Sequence, residues 1–394
     1  MSEWKETTLG ELVTFQRGHD LPKTEFNDGE YPILGSNGII GYHNEYTTEG
    51  AGITIGRSGN IGNPFYTESN FWAHNTTLYV KEFHNSFPKF VFYFLKTIDF
   101  QSFNSGSAVP SLNRNYIHPF PVFVPEDIEE QKQIADVLSC LDAKIENLRR
   151  QNETLEQIAQ TLFKHWFIDF EFPNADGKPY KSSGGAMLAS ELGDIPEAWK
   201  VGKLGAIGKI ITGKTPSTQS PNLWGDGLPF ITPTDFKNYG KYILSAERKI
   251  SQLAISQFKQ YIVPQNSIVV TCIGSDMGKA AKTSISCITN QQINPIVLLQ
   301  DFYFHEYIFN YLKSQYKLLR NIALGGSTMP IINKSAFSNI EILMPSLELL
   351  NYFENIISAL NQKIINNENQ IQTLTKTRDS LLPKLMSGQL RVKE

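Results

Sequence analysis

Three cysteines in 394 residues leave little room for cross-linking or metal chemistry. Cys140, Cys272 and Cys287 form neither a metal-ligand spacing nor a disulfide framework, which points to a reducing cytoplasm. The seven histidines show no metal spacing either. No run of about 18 apolar residues is present, so no membrane-spanning helix is expected. The start, MSEWKETTLGELV, lacks the cationic and apolar regions of a secretory leader. A strong charge of one sign is also missing. Lys plus Arg is 36 and Asp plus Glu is 39, a net −3. That argues against a uniformly basic coat on DNA but allows a local basic face. What is present is an apolar share of 41% and a charged share of 19%, enough for folded cores, in a chain long enough for about two to four domains.

The chain repeats itself. Trp4-Lys5-x3-Leu9-Gly10 recurs as Trp199-Lys200-x3-Leu204-Gly205, and Ser105 to Asn113 recurs as Gly325 to Asn333. Val124-Pro125 matches Met344-Pro345, and Leu141-Asp142-x-Lys144-Ile145 matches Leu360-Asn361-x-Lys363-Ile364. The order is kept while the offset drifts from 195 to 220, which reads as a tandem duplication. Residues 1–125 and 199–345 each hold Gly/Asn/Ser-rich turns between short β-type runs, such as Ile53-Thr54-Ile55 and Ser267 to Thr271, with one helical patch each, Phe90 to Lys96 and Phe304 to Lys313.

After each globule the period changes. Ile134, Leu138, Leu141, Ile145, Leu148, Asn152, Leu155, Ala159, Leu162 and Trp166 alternate steps of four and three, and so do Phe353, Ile357, Leu360, Ile364, Asn367, Ile371, Leu374, Arg378, Leu381 and Leu385. Such stripes predict coiled-coil seams, with Pro383 breaking or kinking the second helix near its end. Placed antiparallel in full overlap, the helices would set Asn152 opposite Asn367, a pair able to share a hydrogen bond and fix the register. The expected fold is α+β: two tandem-duplicated globules (1–125 and 199–345) separated by two long helices (126–170 and 346–394, the latter with a tail) forming an antiparallel coiled coil, pseudo-twofold. Residues 171–198, rich in Pro, Gly and Ser, read as a linker. From Ile134 to Trp166 the rise is about 48 Å, on the order of ten base pairs of duplex DNA.

Charge is uneven along the chain. Residues 1–125 carry eight Lys/Arg against twelve Asp/Glu, a net −4, whereas residues 199–345 carry fifteen against seven, a net +8. If both globules meet a polyanion, the first must use a few placed residues and backbone amides.

Catalytic motifs are weak. Gly208 to Thr215 matches a phosphate-binding GxxxxGK[ST] loop letter for letter, but Pro216 follows directly and no apolar helical face lies behind it. Asn63-Pro64-Phe65-Tyr66 is near the Asn-Pro-Pro-Tyr loop of amino-methylating DNA methyltransferases, without a glycine-rich cofactor loop upstream. Glu130-Gln131-Lys132 has the Glu-x-Lys of a nuclease site, on what reads as a solvated helix face. Binding features are better. Gly56-Arg57-Ser58-Gly59-Asn60-Ile61-Gly62 and Gly274-Ser275-Asp276-Met277-Gly278-Lys279 are polar glycine loops, followed by the amide-bearing His74-Asn75-Thr76 and Asn290-Gln291-Gln292. A third polar loop surrounds Ser107 and Ser327. Arg, Asn and Gln suit base edges and Ser, Thr and backbone N–H groups suit phosphates, although the same residues also make ordinary turns.

Together these motifs resemble the specificity subunit of type I restriction–modification systems. The resemblance rests on the duplicated Trp-Lys-x3-Leu-Gly starts, Thr212-Gly213-Lys214-Thr215-Pro216 with Trp224-x-Asp226-Gly227-x-Pro229-Phe230, Thr289-Asn290-Gln291, Leu141-Asp142-x-Lys144-Ile145 and Leu381-Leu382-Pro383-Lys384-Leu385-x-Ser387-Gly388. It covers essentially the whole chain. The first copy departs from it, with Thr14-Phe15-Gln16-Arg17-Gly18-His19 and His74-Asn75-Thr76 at the corresponding places. The resemblance implies a non-catalytic DNA reader in which each globule is a target-recognition domain for half of a split site and the helices act as a ruler. It further implies double-stranded DNA and two modification (methyltransferase) subunits docked on the helices as partners, with restriction subunits joining as an ATP-driven nuclease. S-adenosylmethionine, ATP and Mg2+ would belong to those partners. The residues expected at DNA are Arg57, Ser58, His74, Asn75 and Ser107 in the first domain, and Lys214, Thr215, Ser275, Lys279, Asn290, Gln291 and Ser327 in the second. Two other readings stay open. A structural tether of two protein-binding modules would show no nucleic-acid affinity, and a self-contained DNA methyltransferase or nucleotide hydrolase would bind S-adenosylmethionine or ATP itself.

Overall fold

The computed structural model describes residues 3–103, 110–236, 240–274, 277–299, 304–324 and 331–392. The chain forms two compact units, residues 1–147 with 370–394 and residues 148–369.

In the first unit, four antiparallel strands run in the order Thr14–Arg17, Thr77–Glu82, Gly52–Gly56, Pro64–Thr67. A second sheet has Tyr31–Gly35 at its centre, antiparallel to Gly38–His43 and parallel to Trp72–Ala73. Trp4–Thr8 pairs with Pro121–Pro125, so the two ends of the globule close on each other. Ile53 and Ile55 on the sheet and Phe90, Val91 and Phe94 on the helix Pro88–Leu95 fill the core, joined by Ile134, Leu138, Leu385 and Met386 from the long helices.

The second unit repeats this plan from a different sequence. Gly208–Ile210, Ile293–Leu298, Ile268–Thr271 and Ala280–Thr283 run antiparallel in that order, and a short fifth strand, Tyr242–Ile243, adds in parallel. Trp224–Ile231 is antiparallel to Arg248–Ile250 and parallel to Ile288–Thr289, and Lys200–Lys203 closes on Glu341–Met344. The helix His305–Ser314 stands where Pro88–Leu95 does in the first unit. The duplication extends to caps: Asn113 and Asn333 each accept a backbone N–H at the start of a short helix, from Asn115 and Ala336.

The first long helix is Ile128–Phe163, continued by one wide turn over Lys164–Ile168, and the second is Leu347–Met386. The seam residues Leu138, Ile145, Asn152, Ile357, Ile364, Asn367 and Ile371 are buried, and Leu141, Leu155, Leu360 and Leu374 are half-buried. Within the second unit, Asn367 Nδ2 donates to Asn152 Oδ1 at 2.8 Å, and Asn152 Nδ2 donates to Glu368 Oε1 at 2.8 Å. Phe163 meets Phe353 at 6.2 Å between ring centres, so the two helix segments of this unit run in opposite directions. In the first unit, Arg378 reaches Asp142 at 2.6 Å, and Asp142 accepts the Tyr93 hydroxyl at 2.7 Å.

The structure refines three expectations. Pro383 does not break its helix, which continues through Met386; Leu385 and Met386 are buried in the first unit's core, and that packing holds the last turn. Glu130 is only 7% exposed, so it does not lie on a solvated face. Arg391 covers it with two charge-assisted hydrogen bonds, and Trp4 Nε1 donates to it at 3.3 Å. Gln131 beside it is spent on the backbone, accepting from Phe87 N–H and donating to the Pro125 carbonyl. The segment 171–198, read as a linker, has regular structure of its own. It carries the hairpin Met187–Ser190 with Gly193–Pro196, and Phe172 stacks between Tyr180 and Trp199 at 4.6 and 5.3 Å.

Candidate nucleic-acid interface

Each unit builds the same loop crossing. In the second, the strand Gly208–Ile210 runs into a loop that passes over Thr289-Asn290. A Cβ on Gly213 would lie 2.0 Å from the Asn290 carbonyl, so only glycine allows the approach. In the first unit Gly18 does the same over His74, with 2.1 Å to its carbonyl. The residue after each glycine hydrogen-bonds the crossed strand: Lys214 N–H to Thr289 O at 2.9 Å, His19 N–H to Ala73 O at 2.7 Å. One residue further, Thr215 Oγ1 donates to Gln291 Oε1 at 2.5 Å, and Asp20 accepts from the Asn75 amide.

This pairing equates Asn75 with Gln291 and His74 with Asn290, and it separates their roles. His74 and Asn290 are used inside their own turns. His74 contacts Thr76 Oγ1 at 3.0 Å and the Leu21 carbonyl at 3.3 Å; Asn290 binds both the side chain and the backbone N–H of Gln292. The outer residues of the crossing, Asn75, Lys214 and Gln291, are exposed or half-buried.

A second loop joins the crossing in the first unit. Arg57 and Ser58 donate backbone N–H groups to Thr76 O, and Arg57 Nη1 reaches Asn75 O at 3.3 Å. Ser58 bridges to Ser111 in an isolated antiparallel contact. In the second unit the same bridge joins Ile273 to Ile331, and Cys272 N–H bonds Gln292 O. Arg57 therefore corresponds to Cys272 and Gly59 to Gly274. Cys272 is buried and desolvation pushes its thiol up to about 12, so a neutral side chain stands where the first unit has the Arg57 cation.

Of the residues expected at DNA, Arg57, Ser58, His74 and Asn75 come together in the first unit, and Lys214, Thr215, Asn290 and Gln291 in the second. Lys279 lines a different concavity with Lys313 and Tyr316. Ser107, Ser275 and Ser327 lie outside the described residues. Arg17 and Arg114, not singled out from sequence, line a pocket with Arg57. Their signal was present, since residues 1–125 contain no arginine besides these three. The segment matching a phosphate-binding loop runs as strand and extended chain, without the helix opening at Lys214-Thr215 that such a loop requires. Among the described residues, no group of three His, Cys, Asp or Glu is placed to hold a metal ion, and no helix is long and apolar enough to cross a membrane.

The model of the type I restriction modification DNA specificity domain matches twice, over residues 1–157 and 196–376. The chain is 30% identical over 335 residues to the type I restriction enzyme HindI specificity subunit of Haemophilus influenzae, covering 72% of each. It is 32% identical over 326 residues to the MjaIX specificity subunit of Methanocaldococcus jannaschii, covering 79% of this chain and 72% of the relative. The crystal structure of the type I restriction–modification S subunit from M. genitalium superposes with a TM-score of 0.61 at 18% identity, over 98% of this chain and 96% of the other, a likeness of fold.

Proposed function

The chain belongs to the family of type I restriction–modification specificity subunits, and from that premise we propose how it reads DNA. Each unit reads one half of a split site through its glycine-crossed loop pair. The long helices form an antiparallel coiled-coil spacer that sets the distance between half-sites and docks two modification subunits. Restriction subunits complete the assembly. The chain itself is non-catalytic: S-adenosylmethionine chemistry on adenine, ATP and Mg2+ belong to the partners. Half-sites read by linked modules allow each contact to be weak while the pair is tight.

The observation that carries this reading is the recurrence of one loop device in two units of unlike sequence. A scaffold that repeats while its exposed side chains differ, Asp20 and Asn75 against Thr215 and Gln291, suits two readers of different half-sites. Lys214 supplies a phosphate contact and Gln291, with its oxygen held by Thr215, presents its amide donors to a base edge. In the assembled complex, Lys214→Ala weakens binding evenly across sequences, and Gln291→Ala costs about 1–3 kcal/mol at one base position. Unchanged affinity and an unchanged methylated motif in both variants would remove the loop crossing from the interface.

A further inference from the structure

All three arginines of residues 1–125 converge on one open pocket of about 610 Å3. They arrive from separate segments: Arg17 ends the strand Thr14–Arg17, Arg57 follows the strand Gly52–Gly56, and Arg114 starts the helix Arg114–Ile117. Ser111 and Asn113 supply polar groups to the same wall. Backbone carbonyls aim two of the guanidinium groups, with Arg57 Nη1 on Asn75 O at 3.3 Å and Arg114 Nη1 on Phe15 O at 3.4 Å. Twelve carboxylates are available in residues 1–125, yet none forms an ion pair with these arginines among the described residues. Burial and the neighbouring charge of Arg17 both lower the Arg57 pKa, as expected for cations held together without a counter-charge.

Three clustered like charges need an anion to offset their repulsion. One guanine edge occupies a single guanidinium fork, whereas the oxygens of a phosphate accept from several. The second unit has Thr212, Cys272 and Lys334 at the corresponding places, within a globule that already carries +8. We propose that Arg17, Arg57 and Arg114 form a phosphodiester anchor by which the acidic first unit grips the DNA backbone. This rests on the DNA-reading function above and assigns the two units different means of holding the polyanion: a placed arginine pocket in one, a diffuse field in the other.

The test uses the full chain assembled with its modification subunits on a duplex carrying its methylated motif. Affinity is measured across a salt series for Arg17→Ala, Arg57→Ala, Arg114→Ala and Arg57→Lys, with thermal melting to verify folding. Each alanine variant is expected to lower the slope of log affinity against log salt by about 0.9, so that a fourfold rise in salt weakens the native complex about 3.5-fold more than the variant. The methylated motif stays the same, and Arg57→Lys restores the slope. A native slope with a motif altered at one base would assign the arginine to base reading and overturn the anchor. Native slope and native motif in all three alanine variants would overturn it as well. Arg17, exposed at a strand end, keeps the test available if Arg57→Ala does not fold. Failure of the DNA-reading function would look different, since the native complex would then show no preference for the motif.

Discussion

Asn367 offers a sharp quantitative test of the helix pairing in the second unit. It is fully buried, and its amide donates to Asn152 Oδ1 at 2.8 Å; the Asn152 amide in turn holds Glu368. Asn367→Leu keeps the side-chain branching but leaves the Asn152 oxygen buried without its donor, at a cost of about 1–3 kcal/mol. Asn152→Leu leaves the Asn367 amide only its long 3.5 Å contact to Gln151 Oε1 and removes the amide donor to Glu368, with a similar cost. The double variant removes both members and presents two apolar side chains to each other. Its destabilisation should therefore fall short of the summed single costs by about 1–2 kcal/mol. Urea unfolding of the four proteins, followed by far-ultraviolet circular dichroism with the slope held common, reads the difference. Additive costs would refute the pairing, because they would mean the two amides do not sense each other.

Further outcomes follow from the buried charges and the loop crossing. Burial and the nearby Glu306 carboxylate raise the Glu354 carboxyl to about 7, against an ordinary value of 4.5. The stability it contributes is full below about 4.5 and is lost as pH rises through about 7, so Glu354→Gln should flatten the pH dependence of melting in that window and melt higher than the native protein at pH above 7. Arg391→Ala removes the two charge-assisted hydrogen bonds that cover the buried Glu130, and should lower stability by about 1–3 kcal/mol, measured by denaturant unfolding; Arg391→Lys should recover part of it. Gly213→Ala forces a Cβ against the Asn290 carbonyl. In the assembled complex it should abolish recognition of one half-site at any temperature where the chain stays folded, read by methylation of motif variants.

The sequence carried the duplication, the four-and-three stripes and the apolar runs of both globules, because these depend on periodicity and local order. Asn152 and Asn367 are matched by arithmetic once the two antiparallel stripes are set in full overlap, because each stripe then holds one Asn at the facing position. The burial of Glu130 is not legible locally because Arg391, far along the chain, reaches back to it, and the helix persists past Pro383 because Leu385 and Met386 pack into the first unit's core. The glycine loops are legible in sequence but their residue-by-residue correspondence is not, because Gly59 and Gly274 occupy the same turn while their neighbours differ. The arginine pocket assembles from positions 17, 57 and 114, a convergence that only the strand order reveals. The amides of His74-Asn75 and Asn290-Gln291 looked equivalent in sequence; hydrogen bonding inside the turn separates the structural first residue from the outward second one.

The most direct measurement is the methylome of cells holding a modification subunit able to assemble with this chain, with and without the chain. A split, adenine-methylated motif should appear only when the chain is present, with both half-sites revealed together. An active modification subunit that yields the same methylation pattern with or without the chain would contradict the DNA-reading function.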